Sequence, residues 1–265
     1  MDTGSSIEVD GTEVLLEGTG PGTVVMLHGW PDTRALWDDT VARLAPRWRC
    51  ARFTLPGCDL RRAPRAPSLE QMTAHLAAIV DAVSPQAPVV LLLHDWGAFY
   101  GYQYALRHPG RVARIVAVDI GDAGSPEHRR SLSRTAQAGI AAYQLWLAIA
   151  YLAPAFIGDP MTRWMASRLR APAPAQAIGA RMNFPYAQAW SGRLRGALPV
   201  RPACPVLYLY GERKPFMFHS PQWLERLGAT PGSAVHALRT GHWVMTGKPQ
   251  EFGSIVEAWL GDGRA

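Results

Sequence analysis

Asp95 ends an apolar run and opens a helical one: Val89-Val90-Leu91-Leu92-Leu93-His94-Asp95-Trp96-Gly97-Ala98. Strand, sharp turn and helix in that order push the turn residue's side chain out of the top of a sheet, the layout of a nucleophile elbow. A serine in that place attacks acyl carbon. A carboxylate instead displaces a leaving group from saturated carbon, as on an epoxide or an alkyl halide, and leaves an alkyl ester. A second element, His28-Gly29-Trp30-Pro31, directly follows the apolar run Thr23 to Leu27. Taken alone it reads equally well as a tight turn shaped by His28 and Pro31.

The elements that must position these residues follow a simple rhythm. Strand-like runs at Thr23 to Leu27, Arg49 to Leu55, Val89 to Leu93, Arg114 to Ile120, Val206 to Tyr210 and Ala234 to Leu238 alternate with helical patterns. The helical segments are Leu36 to Leu44, Leu69 to Val83, Ala98 to Arg107 and Pro249 to Leu260. This alternation predicts an α/β fold with a mostly parallel, doubly wound sheet covered on both faces. Ile7 to Glu17, with Asp10-Gly11 inside it, reads as a hairpin at the sheet edge. Between Asp122 and Pro202 the rhythm breaks into Ala-, Trp-, Tyr- and Pro-rich helical sequence with no strand candidate. The expected organisation is core (1–121), inserted helical cap (122–202) and core again (203–265). Open α/β sheets bind ligands beyond their strand C-termini. The cap aromatics Tyr143, Trp146, Tyr151, Phe156, Trp164, Phe184, Tyr186 and Trp190 would line an apolar pocket there.

Composition narrows the function classes. The chain has 265 residues, 48% of them hydrophobic, enough to bury one full catalytic core. No apolar run is long enough to span a bilayer, and Met1 to Gly22 lacks the basic start and apolar centre of a leader, so no membrane partner and a cytoplasmic location are expected. Cys50, Cys58 and Cys204 lie far apart without a CxxC pair, which argues against disulfides and against a zinc site. The net charge of +6 comes from scattered arginine, and the clusters Arg61-Arg62 with Arg65 and Arg129-Arg130 with Arg134 lack interleaved aromatics. They read as solvated faces, so no nucleic-acid partner is expected.

With Asp95 and the His28 to Pro31 turn in this order, the chain resembles an α/β-hydrolase of the epoxide hydrolase and haloalkane dehalogenase branch. The resemblance implies an oxyanion hole from the backbone N–H groups of Trp30 and Trp96. It also implies a base after the last core strand, where Thr240-Gly241-His242-Trp243 supplies His242. The remaining histidines fall in helices, loops or a strand, and His94 beside the nucleophile is expected to pack. The residues expected to contact substrate are His28, Trp146, Phe184 and Trp243. No cofactor or metal is implied, the partner is a small hydrophobic substrate, and the protein is expected to be a monomer or homodimer.

Two details depart from the epoxide hydrolase pattern. The loop Gly211-Glu212-Arg213-Lys214-Pro215 carries a lysine where that pattern has the supporting Asp. Asp119 closes the apolar run Arg114 to Val118 and lies 24 residues beyond Asp95 (119 − 95), a spacing similar to one haloalkane dehalogenase subgroup. A carboxylate there costs free energy to bury unless paired, so His242 or Lys214 is its expected partner, with Asp122 and Glu212 as alternative acids. Leu93 also stands where epoxide hydrolases have glycine.

The cap stretches Tyr143-Gln144-Leu145-Trp146 and Asn183-Phe184-Pro185-Tyr186 resemble the two motifs that donate protons to an epoxide oxygen, through Tyr143 and Tyr186. They favour an epoxide hydrolase over a haloalkane dehalogenase, whose halide site needs an Asn in the HGxP turn or a second Trp besides the one after the nucleophile. An esterase-like or non-catalytic binding protein is the reading of another class, and its support is the displaced acid.

Overall fold

The computed structural model describes residues 4–261. Among the described residues, eight strands form one sheet: β1 (Ser5–Val9), β2 (Thr12–Glu17), β3 (Thr23–Leu27), β4 (Arg49–Phe53), β5 (Val89–His94), β6 (Val112–Val118), β7 (Val206–Gly211) and β8 (Ala234–Leu238). Their spatial order is β1-β2-β4-β3-β5-β6-β7-β8. β1 and β2 pair antiparallel and β2 runs antiparallel to β4; the other neighbours are parallel. The hairpin turns on Asp10 and Gly11, both at positive φ (46° and 74°), which a two-residue turn with the twist of its flanking strands requires.

The helices are α1 (Asp38–Leu44), α2 (Leu69–Val83), α3 (Trp96–Arg107), α4 (Pro126–Ser131), α5 (Arg134–Leu152), α6 (Ala155–Arg168), α7 (Phe184–Trp190), α8 (Pro221–Ala229), α9 (Val244–Gly247) and α10 (Pro249–Gly261). Every residue of β3 and β5 is buried, as expected of central parallel strands with helices on both faces. Alternation along them sorts the core into two layers. Val25, Leu27, Leu91 and Leu93 pack with Met72, Leu76 and Ile79 of α2 and Tyr100 and Tyr104 of α3. Val24, Met26, Val90 and Leu92 pack with Val41 and Leu44 of α1 and Phe252, Val256 and Leu260 of α10. The cysteines are free; Cys50 and Cys58 are buried.

Local signals set the helix ends. Ser68 and Gln71 form a reciprocal capping box at the start of α2. β3, β8 and α2 occupy the spans expected from sequence. β6 runs Val112–Val118 rather than Arg114 to Ile120, because Asp119 adopts φ 65° and breaks the strand. Helix α3 begins at Trp96, immediately after Asp95, rather than at Ala98. The segment expected from Leu36 opens as a 3-10 turn, Arg34–Trp37, before α1.

Between β6 and β7 the chain forms α4 to α7. Helix α5 packs on α6 and α7. Tyr186 of α7 meets the rings of Trp30 and Trp96, which follow β3 and β5. The helical segment thus reaches the C-terminal ends of the central strands.

Candidate active site

Asp95 sits between β5 and α3 with φ 51° and ψ −127°, a backbone conformation L side chains rarely adopt and one that aims the carboxylate off the sheet. The turn tolerates no bulk beside it. A Cβ on Gly29 would collide with the Asp95 carboxylate, and one on Gly97 with the carbonyls of Leu27 and His28. The backbone N–H of Trp30 donates to Asp95 Oδ1 at 2.6 Å. Burial alone would raise the Asp95 pKa, but the hydrogen bond and charge of His242, aided by the Trp96 backbone N–H, hold it below the usual carboxylate range.

His242 lies in the loop after β8. Its Nε2 is 3.4 Å from Asp95 Oδ2, and its Nδ1 is 2.5 Å from Asp119 Oδ2. One imidazole therefore bridges two carboxylates. Burial by itself would depress the imidazole, yet hydrogen bonds to Asp119 and Asp95 and their charges carry it up to about 9.

Asp119 is fully buried. Its Oδ1 accepts from the Gly211 N–H at 2.9 Å and pairs with Lys214 Nζ. Burial pushes its pKa up, but Lys214 and His242 outweigh that and hold it below its ordinary value. Both partners anticipated for this carboxylate are present. Lys214 occupies the loop after β7 and reaches back to Asp119, with its Nζ 5.4 Å from the Phe218 ring centroid. Asp122 is committed elsewhere, accepting from the Ser220 N–H and hydroxyl, both at 2.7 Å. Glu212 faces Arg239 at 3.8 Å.

Tyr143 and Tyr186 pack edge to face, with centroids 6.1 Å apart. Tyr186 also lies edge-on to Trp30 and Trp96, at 5.8 and 5.3 Å. Burial raises the pKa of both phenols, and the Asp95 charge adds to the rise. The two phenols thus stay protonated beside the carboxylate.

Three residues expected at the substrate have other partners. His28 is buried and uses both nitrogens to brace its turn, Nδ1 on the Gly29 carbonyl at 2.8 Å and Nε2 on the Leu55 N–H at 2.9 Å. Trp146 lies at the surface: its ring tilts against Trp164 (5.1 Å) and its indole N–H donates to the Met161 carbonyl. Trp243 is buried, edge-on to His242, and donates its indole N–H to Asp32 at 2.8 Å. Phe184 is buried against Gly57.

Sequence reasoning missed two polar residues. Asn183, fully buried, accepts the Trp30 indole N–H at 2.6 Å and donates to Thr162 at 2.7 Å, so it pins the ring of the His28 to Pro31 turn. Asp32 is buried under Trp243, and burial, despite that hydrogen bond, raises its pKa to about 7. His94 packs beneath His242 (4.5 Å between centroids), and burial lowers its pKa to about 3, so it stays neutral.

A carboxylate, an N–H donor, and a histidine backed by a second carboxylate can form and then hydrolyse a covalent ester. The fold and parts of the sequence have relatives. The fold superposes on an epoxide hydrolase from Bacillus megaterium with a TM-score of 0.73, over 97% of this chain and 100% of that one, at 19% sequence identity. Among curated proteins, "Epoxide hydrolase srdG" of Neurospora crassa is 38% identical over 102 residues, which is 36% of this chain and 29% of the relative. "Probable oxidoreductase EphD" of Mycobacterium tuberculosis is 36% identical over 126 residues, 45% of this chain and 21% of the relative. The match thus spans less than a third of either curated relative. The sequence model for the "Alpha/beta hydrolase family" matches residues 24–254, from β3 through His242 and into α10. That span takes in the Asp95 turn, the His28 to Pro31 turn and the His242 loop, and the chain belongs to the alpha/beta hydrolase family.

Proposed function

We propose that this hydrolase opens an apolar epoxide to a diol through an alkyl ester on Asp95, with residues 122–202 acting as a cap over the site. The observation that carries the reading is the company Asp95 keeps: the half-buried Tyr143 and the buried Tyr186 pack edge to face, Tyr186 lies against the Trp30 and Trp96 rings, and burial together with the Asp95 charge keeps both phenols protonated. An epoxide oxygen must gain a proton as its C–O bond breaks, whereas a halide leaves as a stable anion.

The proton count closes without an outside acid. Asp95 attacks carbon, a tyrosine protonates the ring oxygen, and the carboxylate becomes a neutral ester. His242, held near 9 partly by the Asp95 charge, loses that support and returns its proton to the tyrosinate. Neutral His242 then deprotonates water, which attacks the ester carbonyl while the Trp30 and Trp96 N–H groups hold the oxyanion. Collapse releases the diol and restores charged Asp95 and protonated His242. Ester formation itself therefore switches the base on.

A haloalkane dehalogenase is the second reading, favoured by Asp119 at the end of β6. Against it, the Trp30 indole N–H, a natural halide donor, is committed to Asn183 at 2.6 Å.

One turnover in heavy-oxygen water tests the ester route, since water oxygen must enter the Asp95 carboxylate. Label in the first diol formed, with none on Asp95, refutes it. Tyr143→Phe with Tyr186→Phe should abolish epoxide opening; efficient halide release by wild type without epoxide opening would reverse the ranking.

A further inference from the structure

Helix α5 has two characters. Its inner side carries Tyr143, while Leu145, Trp146, Ile149 and Leu152 are exposed. These positions recur at helical spacing and form one stripe. The chain turns at Ala153 and Pro154, and α6 returns beside α5, as the contact of Trp146 with Trp164 shows. Helix α6 adds exposed Phe156, Ile157 and Trp164, and Leu169 follows it. Leu152 and Phe156 are 78% and 79% exposed. An apolar face of this extent rimmed by charge marks an interaction site rather than ordinary surface.

The charge rim names the partner. Residues 122–202 hold ten arginines and three acids, a net +7, while the whole chain is +6, so all the rest sums to −1 (6 − 7). Arg168 and Arg170 are exposed beside Leu169, and Arg134 is exposed at the start of α5. From Ser131 to Gly211 the only acid is Asp159, and it is occupied by the Ala180 N–H at 2.7 Å and by Arg163. A second copy docked through this face would set arginine rim against arginine rim. An anionic bilayer surface complements both properties at once.

We propose that the α5–α6 hairpin docks this protein onto anionic lipid surfaces, with Leu152 and Phe156 entering the headgroup boundary and Arg168 and Arg170 facing the phosphates. Among the described residues no helix is long and apolar enough to cross a membrane, so the contact is interfacial. Apolar side chains and basic side chains supply the two signals that stable peripheral binding needs, and each arginine brought to such a surface strengthens binding about fivefold. The same helix presents Tyr143 inward, so docking would set the site beside the phase where apolar compounds collect. The proposal holds whatever reaction Asp95 performs.

The full-length protein should float with vesicles of equal phosphatidylglycerol and phosphatidylcholine and remain behind with phosphatidylcholine alone. High salt should weaken the binding. Leu152→Glu with Phe156→Glu should abolish flotation, and Arg168→Gln with Arg170→Gln should reduce it at least tenfold, with circular dichroism and hydrolysis of a water-soluble substrate unchanged. Equal binding to both vesicle types, or binding indifferent to Leu152 and Phe156, overturns the proposal. So does a concentration-dependent dimer, abolished by the glutamates, in a protein that does not float.

Discussion

Replacing Asp119 by Asn removes one charge and retains the shape, and its effect can be worked out atom by atom. The Oδ1 position receives two donors, the Gly211 N–H and Lys214. In the variant the amide oxygen must therefore occupy that place, leaving the NH2 group to face His242 Nδ1. Nδ1 then becomes an acceptor, and the imidazole proton moves to Nε2, the nitrogen that faces Asp95. An imidazole protonated there cannot take a proton from water. A wrong tautomer of this kind costs about 10⁴ in rate in a serine protease triad, equivalent to about 5.5 kcal/mol. The loss should fall on ester hydrolysis, with alkylation far less affected, so the ester on Asp95 accumulates and intact-protein mass spectrometry detects it after one turnover. Lys214 also becomes a buried, half-compensated cation, with an expected stability cost of about 3–5 kcal/mol. Asp119→Asn combined with Lys214→Met should recover stability without recovering hydrolysis. Ester hydrolysis within tenfold of wild type in a folded Asp119→Asn protein would refute the reasoning.

Lys214→Met alone should leave Asp119 answering chiefly to His242, raising the imidazole pKa by about one unit or more. The pH at which ester hydrolysis reaches its plateau should move up accordingly, and an unmoved profile would show that Lys214 does not tune the base. Folding stability should peak near pH 6.5. Below it, His28, His94 and His219, lowered to about 4, 3 and 4 by burial, bind fewer protons folded than unfolded, so stability rises with pH despite the opposing Asp32. Above 6.5, His242 at about 9 is the more protonated group in the folded state. Its stabilisation, about 3 kcal/mol, is complete below 6.5 and lost as pH climbs through 9. Urea titrations across this range should show that alkaline decline in wild type and a shallower one in His242→Gln. Asn183→Leu orphans the Trp30 indole N–H and should cost about 1–3 kcal/mol, read as a lowered urea midpoint.

Local patterns made most of the scaffold legible. Apolar runs bounded by turn residues mark the parallel strands, and a carboxylate at the end of one such run draws attention because it needs a partner. For Asp119 the expected partners are His242 and Lys214, and both are bonded to it. What stayed hidden depends on contacts between distant parts of the chain. Asn183 meets Trp30 across 153 residues, and Asp32 meets Trp243 across 211. Neither polar residue differs in type or spacing from a surface residue, so only the folded chain shows it buried and engaged. Trp146 illustrates the converse limit. It lies three residues from Tyr143, close enough on a helix to share a face, yet the small angular offset leaves one ring inside and the other at the surface.

The lysine at position 214 makes sense as part of the site's charge count rather than as a lost acid. In the proposed reaction Asp95 and Asp119 must both be ionised in the resting state, the first to attack and the second to orient His242. A buried anion and a partly buried one with a single imidazolium would leave a net negative charge in a region where uncompensated charge is expensive. Lys214, 6% exposed, brings the set to neutrality while pairing with Asp119. Under the proposed mechanism, ester formation would remove the Asp95 charge and release of the His242 proton would restore the balance, so the ester state would be neutral too. Asp32, with a pKa near 7, remains largely protonated below neutrality and adds little to this count. The acid at the end of β6 and the lysine in the loop after β7 are paired, and in the proposed reaction they would act as one device. An aspartate in that loop would have to orient His242 without a buried cation at its back.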